Sequence, residues 1–520
     1  MRRNRSQSFA RPAGPGVTIP RKNIFLIWPT DIAKQSALYP PLGLASLAAV
    51  MRQNGFPVRV LDLSFDRNWT QIQSLNEDGG IYGISFTSSL HGNARRCIGI
   101  IRARDPRAQI VLGGPHASVL PDESLNDLDA DVVCIGEAEV SFPQVVNALL
   151  QVSDLSAVKG IAFRDRERGV MITPDADKIL DLDSLPLPAQ SLFPYETYFR
   201  AKGFRELSII TSRGCPNRCT FCQPTLERMF GRKIRYYGSD YVIRQIRSLQ
   251  ENFKLDFLVI SDDTFVTNKK RALDLCRRIV SDRISIFWRC QTGVNGLDRE
   301  IIRNLKKAGC FIVALGVESG SQDILDRLQK NVRVERIKAV FKMCHEEGML
   351  THAYLMIGSP GESAATIEET RSLLKEIRPF SSNICLTTPY PGTSLYDSLK
   401  ERNLLEDRAW DDYDHLLSDS IHIKTPSVDL AELNTFKRTL LRAQKYPVFK
   451  LRCLVRAFAD GDSLRRLFRV ARVNPGIFLR GLRLFYKSLF AKGLELSNPA
   501  TRANAIYAMP PARVRPSRRK

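Results

Sequence analysis

The segment LSIITSRGCPNRCTFC, residues 207–222, carries more structural information than any other part of the chain. It starts as an apolar strand and runs directly into a loop that holds Cys215, Cys219 and Cys222 with the spacing C-x3-C-x2-C. Three thiolates this close can hold three corners of a cubane iron–sulfur cluster, which four cysteines normally hold. A set of three leaves one iron open, and an open position at a metal site favours catalysis over a structural role.

Two other uses of these cysteines fit the pattern less well. A structural zinc site needs a fourth ligand at finger-like spacing, but the next cysteine is Cys276 and the nearest histidines are His116 and His345. Disulfide pairing is disfavoured because eleven cysteines is an odd number and because no apolar signal segment opens the chain. The pattern therefore favours an iron–sulfur cluster.

The cysteine loop resembles the signature of the radical-SAM enzymes, with Phe221 in the aromatic place before the third cysteine. The resemblance implies that Cys215, Cys219 and Cys222 are the metal ligands and catalytic residues, and that they hold a [4Fe-4S] cluster. It implies that the open iron chelates S-adenosylmethionine and that an electron from the cluster cleaves the sulfonium to a 5'-deoxyadenosyl radical. An external electron donor is then needed.

Length and charge set the broad class of the protein. A chain of 520 residues predicts about three domains, and no apolar run approaches the roughly 18–20 residues of a spanning helix. Basic residues concentrate in residues 1–22, a predicted disordered tail, and in residues 424–520, whereas the middle is nearly neutral. A nucleic-acid enzyme would carry this charge around its active site, so we expect no nucleic-acid partner. Basic ends favour an anionic surface such as membrane lipid, and we predict a cytoplasmic protein, peripheral at the inner face of the membrane.

Residues 23–150 read as an α/β domain. Strands and helices alternate there, which predicts a Rossmann-like, doubly wound parallel sheet with its ligand beyond the carboxyl ends of the strands. No G-x-G-x-x-G follows the first strand, which argues against a dinucleotide. The candidate binding residues lie in the strand-end loops and are Thr87, Ser88, Gly113, Gly114, His116, Gly136 and Glu137.

Three strings of this domain together resemble the cobalamin-binding domain found ahead of many radical-SAM domains: PPLGLASLAAVMRQNG (40–55), VLGGPHAS (111–118) and VVCIGEAE (132–139). The resemblance implies that the strand-end residues bind cobalamin. Many such domains carry D-x-H-x-x-G after the first strand, but here the loop 30–41 reads TDIAKQSALYPP. Cobalt should therefore lack that histidine as lower ligand. His91 and His116 could approach the corrin, although a loop histidine more often serves as a hydrogen-bonding residue.

Residues 151–200 are predicted to be a linker, and residues 201–397 to form the catalytic domain. Six predicted strands with intervening helices match the partial (β/α)6 barrel of the radical-SAM family. Further strand-end motifs resemble the family. The SDDTF string implies that Asp262 and Asp263 receive the methionine amino group, and GVESGS and IGSPGES imply adenosyl or adenine contacts for Gly316, Glu318, Ser319 and Gly358. The alternatives are a surface Asp pair and a tight turn that caps a helix.

Residues 398–520 are predicted to be basic and mostly helical. The segments 431–446, 462–474 and 476–494 have amphipathic patterns with interleaved cations. Such helices either pack over the mouth of the barrel or lie on an anionic membrane. The sequence leaves both alternatives open.

The leading prediction is a cobalamin-dependent radical-SAM methyltransferase of class B, which moves a methyl group from S-adenosylmethionine through methylcobalamin to an unactivated carbon. The domain order resembles that of hopanoid methylases, which implies a hopanoid or other lipid as the small-molecule substrate. Fold alone does not establish substrate. The alternatives are an oxidative cyclase of the porphyrin type and, from a different class, a cobalamin or redox sensor.

Overall fold

The computed structural model describes residues 22–31, 39–165, 167–222, 225–406, 408–414, 423–424, 430–442 and 446–473. The predicted tail 1–22, except for its last residue, and the predicted amphipathic segment 476–494 lie outside them.

The first sheet has seven strands, built from short runs of β-branched and other apolar residues that suit a strand covered on both faces. They are β1 (Ile24–Trp28), β2 (Val58–Asp62), β3 (Ile81–Ser85), β4 (Gln109–Gly113), β5 (Val132–Cys134), β6 (Ile161–Asp165) and β7 (Gly169–Ile172). Their order is β2-β1-β3-β4-β5-β6-β7. The first five strands are parallel, and the last two are antiparallel.

Helices cover both faces of this sheet. They are α1 (Leu42–Gln53), α2 (Thr70–Gln73), α3 (His91–Arg104), α4 (Pro115–Val119), α5 (Pro121–Asp127) and α6 (Ala138–Gln151). Successive residues of a strand face opposite sides, so Leu26 packs in one apolar cluster while Phe25 and Ile27 pack in the other. The strand order reverses between β1 and β3, which opens a ligand crevice at the carboxyl edge.

The segment predicted as a linker contributes to the first sheet. Strands β6 and β7 form an antiparallel hairpin that pairs with β5 through Val132–Cys134. Helix α7 (Tyr195–Lys202) crosses the predicted boundary at residue 200. The first sheet thus extends beyond residue 150, because the hairpin covers an edge strand that would otherwise leave its backbone groups unpaired.

The second sheet has six parallel strands in sequential order and forms the partial barrel. They are β8 (Glu206–Ile209), β11 (Phe257–Ile260), β12 (Phe287–Thr292), β13 (Cys310–Glu318), β14 (Leu350–Ile357) and β15 (Ser381–Leu386). A short antiparallel pair, β9 (Ser212–Arg213) and β10 (Arg235–Tyr236), follows β8. Both the α/β class and the six predicted barrel strands are confirmed.

Helices connect the barrel strands along the chain, and the last of this set follows the final strand β15. They are α8 (Thr225–Phe230), α9 (Ser239–Phe253), α10 (Lys269–Ser281), α11 (Arg299–Lys307), α12 (Gln322–Arg327), α13 (Val334–Glu346), α14 (Ala364–Ile377) and α15 (Ser394–Glu401). Three more complete the described chain: α16 (Leu430–Arg442), α17 (Pro447–Ala457) and α18 (Gly461–Val473). Helix α16 packs on α14 and β15, and α17 contacts β14. Among the described helices none is long and apolar enough to cross a membrane.

The two sheets share one apolar core. Leu26 and Phe142 of the first domain belong to the same buried cluster as Leu207 and Tyr241 of the catalytic domain. A continuous core resists relative motion of its parts because it is close-packed. The carboxyl edges of the two sheets are therefore held in a fixed relation, and the site lies between them.

Candidate active site

A cavity of about 740 Å³ lies between the carboxyl ends of the two sheets. From the first domain it is lined by Thr87 and Ser88, which follow β3, and by His116, at the start of α4. From the barrel it is lined by the cysteine loop and by the ends of β11, β12 and β13. Residues predicted separately for the two cofactors thus line one space.

The loop after β8 brings all three predicted cysteines to this cavity. Cys219 is buried, and Cys215 and Cys222 are half-buried. Burial raises the pKa of each thiol, to about 12 for Cys222, and the positive charge of Lys330 opposes this effect at Cys219 and Cys222. Cysteine binds a metal as the thiolate, so loading of a cluster here would release protons.

The cysteine set fits a cluster better than a single metal ion. Within the described part of the chain, no group of three or more His, Cys, Asp or Glu side chains is arranged to hold one ion. A cubane cluster differs because each cysteine binds a different iron. The eight cysteines outside the loop are not among the residues that line this cavity. The donor set therefore suits a cluster with three cysteine ligands.

Asp262 anchors the strand end and does not line the cavity. Its carboxylate accepts hydrogen bonds from the hydroxyls of Thr211 at 2.6 Å and Ser212 at 2.7 Å, and from both backbone N–H groups. The residue is fully buried. These bonds hold the chain immediately before the cysteine loop, so the side chain predicted to contact the cofactor positions the loop instead.

Asp263, the next residue, does line the cavity. Burial raises its pKa to about 6, and the negative charge of Asp262 adds to the rise while the N–H of Gly214 opposes it. Successive side chains of an extended segment point in opposite directions. One residue of the predicted pair therefore serves the fold while the other faces the ligand space.

Glu318 and Lys330 form an ion pair beside the cysteines. The Lys330 Nζ lies 2.6 Å from Glu318 Oε1 and 5.6 Å from the centre of the Phe221 ring. All three residues and Gly316 line the cavity. A Cβ at Gly316 would lie 2.6 Å from Lys330 Nζ, so a side chain at this position would require the ion pair to shift.

Sequence reasoning missed Lys330. It lies twelve residues after Glu318, beyond α12, in a segment with no motif, and only the fold brings it back to the cavity. Glu318 has φ +61° at a register shift between β13 and β14. A left-handed backbone at a non-glycine residue is costly and tends to mark functional sites.

Ser319 and Gly358 are placed outside the residues that line the cavity. Ser319 is fully buried, and its hydroxyl lies 3.2 Å from Thr370 Oγ1 and accepts a bond from Ser321 N. Gly358 has φ +82° and is covered by Leu433 of α16. Ser319 thus supports the turn before α12, in agreement with the alternative for the GVESGS motif, and Gly358 lies in the turn after β14.

A second, mainly apolar cavity of about 370 Å³ lies at the carboxyl edge of the first sheet. It is lined by the four strand-end residues Gly113, Gly114, Gly136 and Glu137. Thr87, Trp28 and Pro115 line both cavities, so the two spaces adjoin. At Gly114, with φ +90°, a Cβ would lie 2.7 Å from the carbonyl oxygen of Phe86. Adjoining spaces bordered by glycine loops suit a ligand larger than a nucleotide.

His116 is buried in an aromatic group. Its ring lies 5.4 Å from Phe86, 5.2 Å from His91 and 5.2 Å from Trp410. Burial, and then His91, lower its pKa to about 3, so the ring is neutral. The Nδ1 atom is 3.0 Å from Ser88 Oγ, and among the described residues Nε2 has no hydrogen-bond partner.

This arrangement defines a radical SAM enzyme joined to a cobalamin-binding domain. The model of the Radical SAM superfamily matches residues 209–374, and that of the B12 binding domain matches residues 30–146. An uncharacterized methyltransferase of Pyrococcus horikoshii is 30% identical over 378 residues, which span 72% of this chain and 81% of that protein. The chain therefore belongs to the radical SAM superfamily, in the group whose members carry a B12-binding domain.

Other relatives are more distant. The hopanoid C-3 methylase of Methylococcus capsulatus is 24% identical and covers 94% of this chain and 92% of its own. The anaerobic magnesium-protoporphyrin IX monomethyl ester cyclase of Rubrivivax gelatinosus is 26% identical over 70% of this chain and 67% of its own.

Solved structures share the fold. The radical SAM methyltransferase TsrM from Kitasatospora setae, with cobalamin and a [4Fe-4S] cluster bound, has a TM-score of 0.63 at 19% identity and covers 74% of this chain and 75% of its own. OxsB, with aqua-cobalamin and S-adenosylmethionine bound, has a TM-score of 0.67 at 15% identity and covers 94% of this chain and 84% of its own. The predicted family and its cofactor set are confirmed, and the relatives support a radical SAM methyltransferase as the enzyme type.

Proposed function

We propose that this protein transfers a methyl group from S-adenosylmethionine, by way of cobalamin, to an unactivated carbon of a lipid. The observation that carries the proposal is the single cavity that the cysteine loop and the strand-end loops of the first domain line together. A radical formed at the cysteines could there meet a methyl donor held by the first domain. Carbon–hydrogen bonds lack polarity, so acid–base chemistry alone cannot break them, and a radical cofactor supplies what side chains lack.

The side chains of the protein bind and orient the cluster and S-adenosylmethionine. We assign Cys215, Cys219 and Cys222 as cluster ligands, and Asp263, Gly316 and Glu318 as contacts of S-adenosylmethionine, with Lys330 holding Glu318 in place. When bound, the cluster would supply the electron that cleaves S-adenosylmethionine, and cobalamin would carry the methyl group.

On the cobalamin side we assign the strand-end residues of the two adjoining cavities as contacts: Thr87, Ser88, Gly113, Gly114, His116, Gly136 and Glu137. Ser88 engages one nitrogen of the His116 ring, so the other nitrogen is the one that can meet the corrin. Metal-ligating histidines are commonly oriented by such a second hydrogen bond.

The test measures two products at once in anaerobically reconstituted protein. We expect 5'-deoxyadenosine and a lipid heavier by one methylene unit, and a deletion strain should lack that lipid. Formation of 5'-deoxyadenosine with a product that has lost hydrogens or gained oxygen would instead establish the oxidative cyclase, a reaction that one relative's name suggests.

A cysteine variant separates an enzyme from a cobalamin sensor. Cys219→Ala should lose its labile iron and all S-adenosylmethionine cleavage while it still binds cobalamin. Cys453→Ala on α17, half-buried and outside the cavity, is the matched control and should keep both. Unchanged turnover in Cys219→Ala would contradict the assignment of the cluster.

The C-terminal helices favour contact with an anionic bilayer. On α17, Val448, Leu451 and Val455 are spaced along one face and are 63%, 48% and 63% exposed. On α18, Phe468 is 71% exposed and is followed by the exposed Arg469. Apolar side chains interleaved with cations bind the boundary between lipid headgroups and acyl chains. Such contact would bring the enzyme to a lipid substrate.

Vesicle binding tests this contact. The full chain should sediment with phosphatidylcholine vesicles that contain about a third phosphatidylglycerol, and less with pure phosphatidylcholine. The double variant Leu451→Glu and Phe468→Glu should lose most of this binding, whereas Val280→Glu, at another exposed apolar residue on α10, should keep it. Equal binding by both variants would contradict the proposal.

A further inference from the structure

A polar cluster lies inside the barrel, towards the amino ends of its strands. Arg289 is the third residue of β12, Glu206 the first of β8 and His352 the third of β14. The cysteine loop and Asp263 instead follow the carboxyl ends of β8 and β11. The cluster therefore lies deeper in the barrel than the residues assigned to the cofactors.

Arg289 faces the lumen. Along β12, Arg289 and Gln291 are partly exposed while Cys290 between them is buried. Because alternate residues of a strand share a face, Arg289 lies on the side of Gln291, which lines the large cavity. Its side chain is 37% exposed, and although Arg289 is not itself among the residues that line this cavity, its hydrogen-bond partner Tyr39 is.

The charge of Arg289 is only partly balanced. Its nearest carboxylate is Glu206, whose Oε2 lies 3.7 Å from Nε, and the same carboxylate is contacted by Lys202 and by the hydroxyl of Tyr39. Among the described residues, the one hydrogen bond of the Arg289 guanidinium goes to that Tyr39 hydroxyl at 2.9 Å. Burial raises the pKa of Tyr39 far above its usual range, so the phenol is neutral.

The remaining neighbours add no negative charge. His352, whose Nδ1 is 2.8 Å from Ser381 Oγ, is neutral because burial and then Arg289 lower its pKa to about 4. Tyr354, two residues further along β14, lines the cavity. The carboxyl groups of Asp263, Asp414 and Glu318 also line this space, but none of them pairs with Arg289, and Glu318 pairs with Lys330. The Arg289 guanidinium is thus a cation deep in the lumen, with polar, uncharged groups of Tyr39 and His352 near it.

We propose that Arg289 binds an anionic group of the substrate, a carboxylate or a phosphate, so that the substrate enters the barrel with this group first. The planar guanidinium matches both oxyanions in geometry, and it loses less hydration than an ammonium group would. This inference rests on the proposed function, since it names the substrate class of the same site: an acidic amphiphile. The anionic end anchors in the lumen, and the apolar part extends towards the cysteines.

Binding of simple probes tests the inference without turnover. Calorimetric titration of the reconstituted full chain would compare dodecanoate and dodecyl phosphate with dodecanol. We expect at least one acidic probe to bind about tenfold tighter than the alcohol, and the tighter of the two acids identifies the oxyanion. Arg289→Gln should abolish this preference, and Arg289→Lys should keep part of it.

A second variant guards against mere misfolding. Glu206→Gln removes the competing carboxylate and should strengthen acid binding, a gain that damage to the fold would not produce. Arg277→Gln, which removes an exposed cation on α10, should leave binding unchanged. Equal affinity for acid and alcohol, no binding of any probe to the unaltered protein, or an unchanged preference in Arg289→Gln would overturn the inference. Cleavage of S-adenosylmethionine, assayed separately, would show whether the proposed function fails with it.

Discussion

Asp262 belongs to a family motif, but its side chain anchors the chain before the cysteine loop and does not line the cavity. Its buried carboxylate accepts four hydrogen bonds from Thr211 and Ser212. Ser212 lies three residues before the first cysteine of the loop. Asp263 turns towards the ligand space instead. At the scale of single residues, the function of each carboxylate follows from what donates to it.

Asp262→Asn should destabilise the protein by about 2 kcal/mol, because an amide nitrogen cannot accept the bonds that the lost oxygen accepted. The variant should also retain less iron after reconstitution, since the cysteine loop is anchored there. Asp263→Asn is the matched control and should keep its stability. Denaturant unfolding and iron analysis check both variants, and equal stability of the two would contradict the anchoring role.

Glu362 gives a pH-dependent prediction. Its carboxylate accepts the N–H groups of Gly358 and Ser359, yet burial raises its pKa from 4.5 to about 7. The folded protein therefore holds this proton more tightly than the unfolded chain does. Stability from this group is present below pH 4.5 and is lost as the pH rises towards 7.

Glu362→Gln should remove this loss. Relative to the unaltered protein, the variant should gain on the order of 3 kcal/mol between pH 4.5 and 8. Unfolding curves at several pH values measure the difference, and Glu401→Gln, at an exposed site on α15, serves as the control. Parallel stability profiles for Glu362→Gln and the unaltered protein would show that the carboxyl titrates normally.

At the scale of elements, the loop after β4 shows why a strand-end glycine is required. Gly114 combines φ +90° with ψ −179° and packs against the backbone of Phe86. Only glycine adopts this conformation readily. The loop can therefore approach a ligand at the edge of the sheet, and the helix α4 that follows carries His116 to the cavity.

Gly114→Ala should destabilise the first domain by about 2 kcal/mol or more and weaken cobalamin binding, because the loop must move away from Phe86. Gly99→Ala is the matched control, since Gly99 is exposed in α3 and a Cβ there meets nothing within 4 Å. It should stabilise the helix by about 0.5–1 kcal/mol. Cobalamin absorbance after gel filtration and thermal melting measure the two effects.

At the scale of the whole molecule, buried ion pairs join the two domains beside the cysteine loop. Arg213 lies 2.5 Å from Glu137 and 2.7 Å from Glu139, and Arg235 lies 2.8 Å from Glu137. These side chains are all less than a tenth exposed. Glu137 also borders the apolar cavity assigned to cobalamin, so the pairs connect the two cofactor sites.

Arg213→Ala should cost about 3 kcal/mol, because it leaves two buried carboxylates without their shared partner. The strand-end loops that these pairs join should also shift locally, although the shared core remains, and this shift should raise the ratio of 5'-deoxyadenosine to methylated product. Adding Glu139→Gln should recover part of the stability. Arg232→Ala, which removes an exposed arginine of the same domain, should change neither quantity. An unchanged product ratio would show that the pairs do not couple the two sites.

The local signals of this chain predicted the fold well. The sequence alone could predict the β-branched strands, the glycine-rich strand ends and the cysteine triplet, because each of these features involves residues close together in the chain. The α/β class and the six barrel strands followed from those signals, and the cobalamin-binding domain followed from the resemblance of three strings to a known family. The sequence could not predict that the hairpin of β6 and β7 joins the first sheet, because its pairing with β5 forms only once the edge of that sheet has folded.

The amino-acid sequence alone predicted the cluster ligands, because three thiols within eight residues can hold an iron–sulfur cluster. It also placed glycine loops at the strand ends of the first sheet, and the resemblance of these strings to a known family supplied the name of their ligand. The partners of those groups depend on packing. Three contacts show this: Asp262 with Thr211, Lys330 with Glu318, and Arg289 with Tyr39. The partners in these contacts are separated by 12 to 250 positions along the chain. Such contacts exist only after two sheets share one core, because burial and charge at a site come from every element that surrounds it.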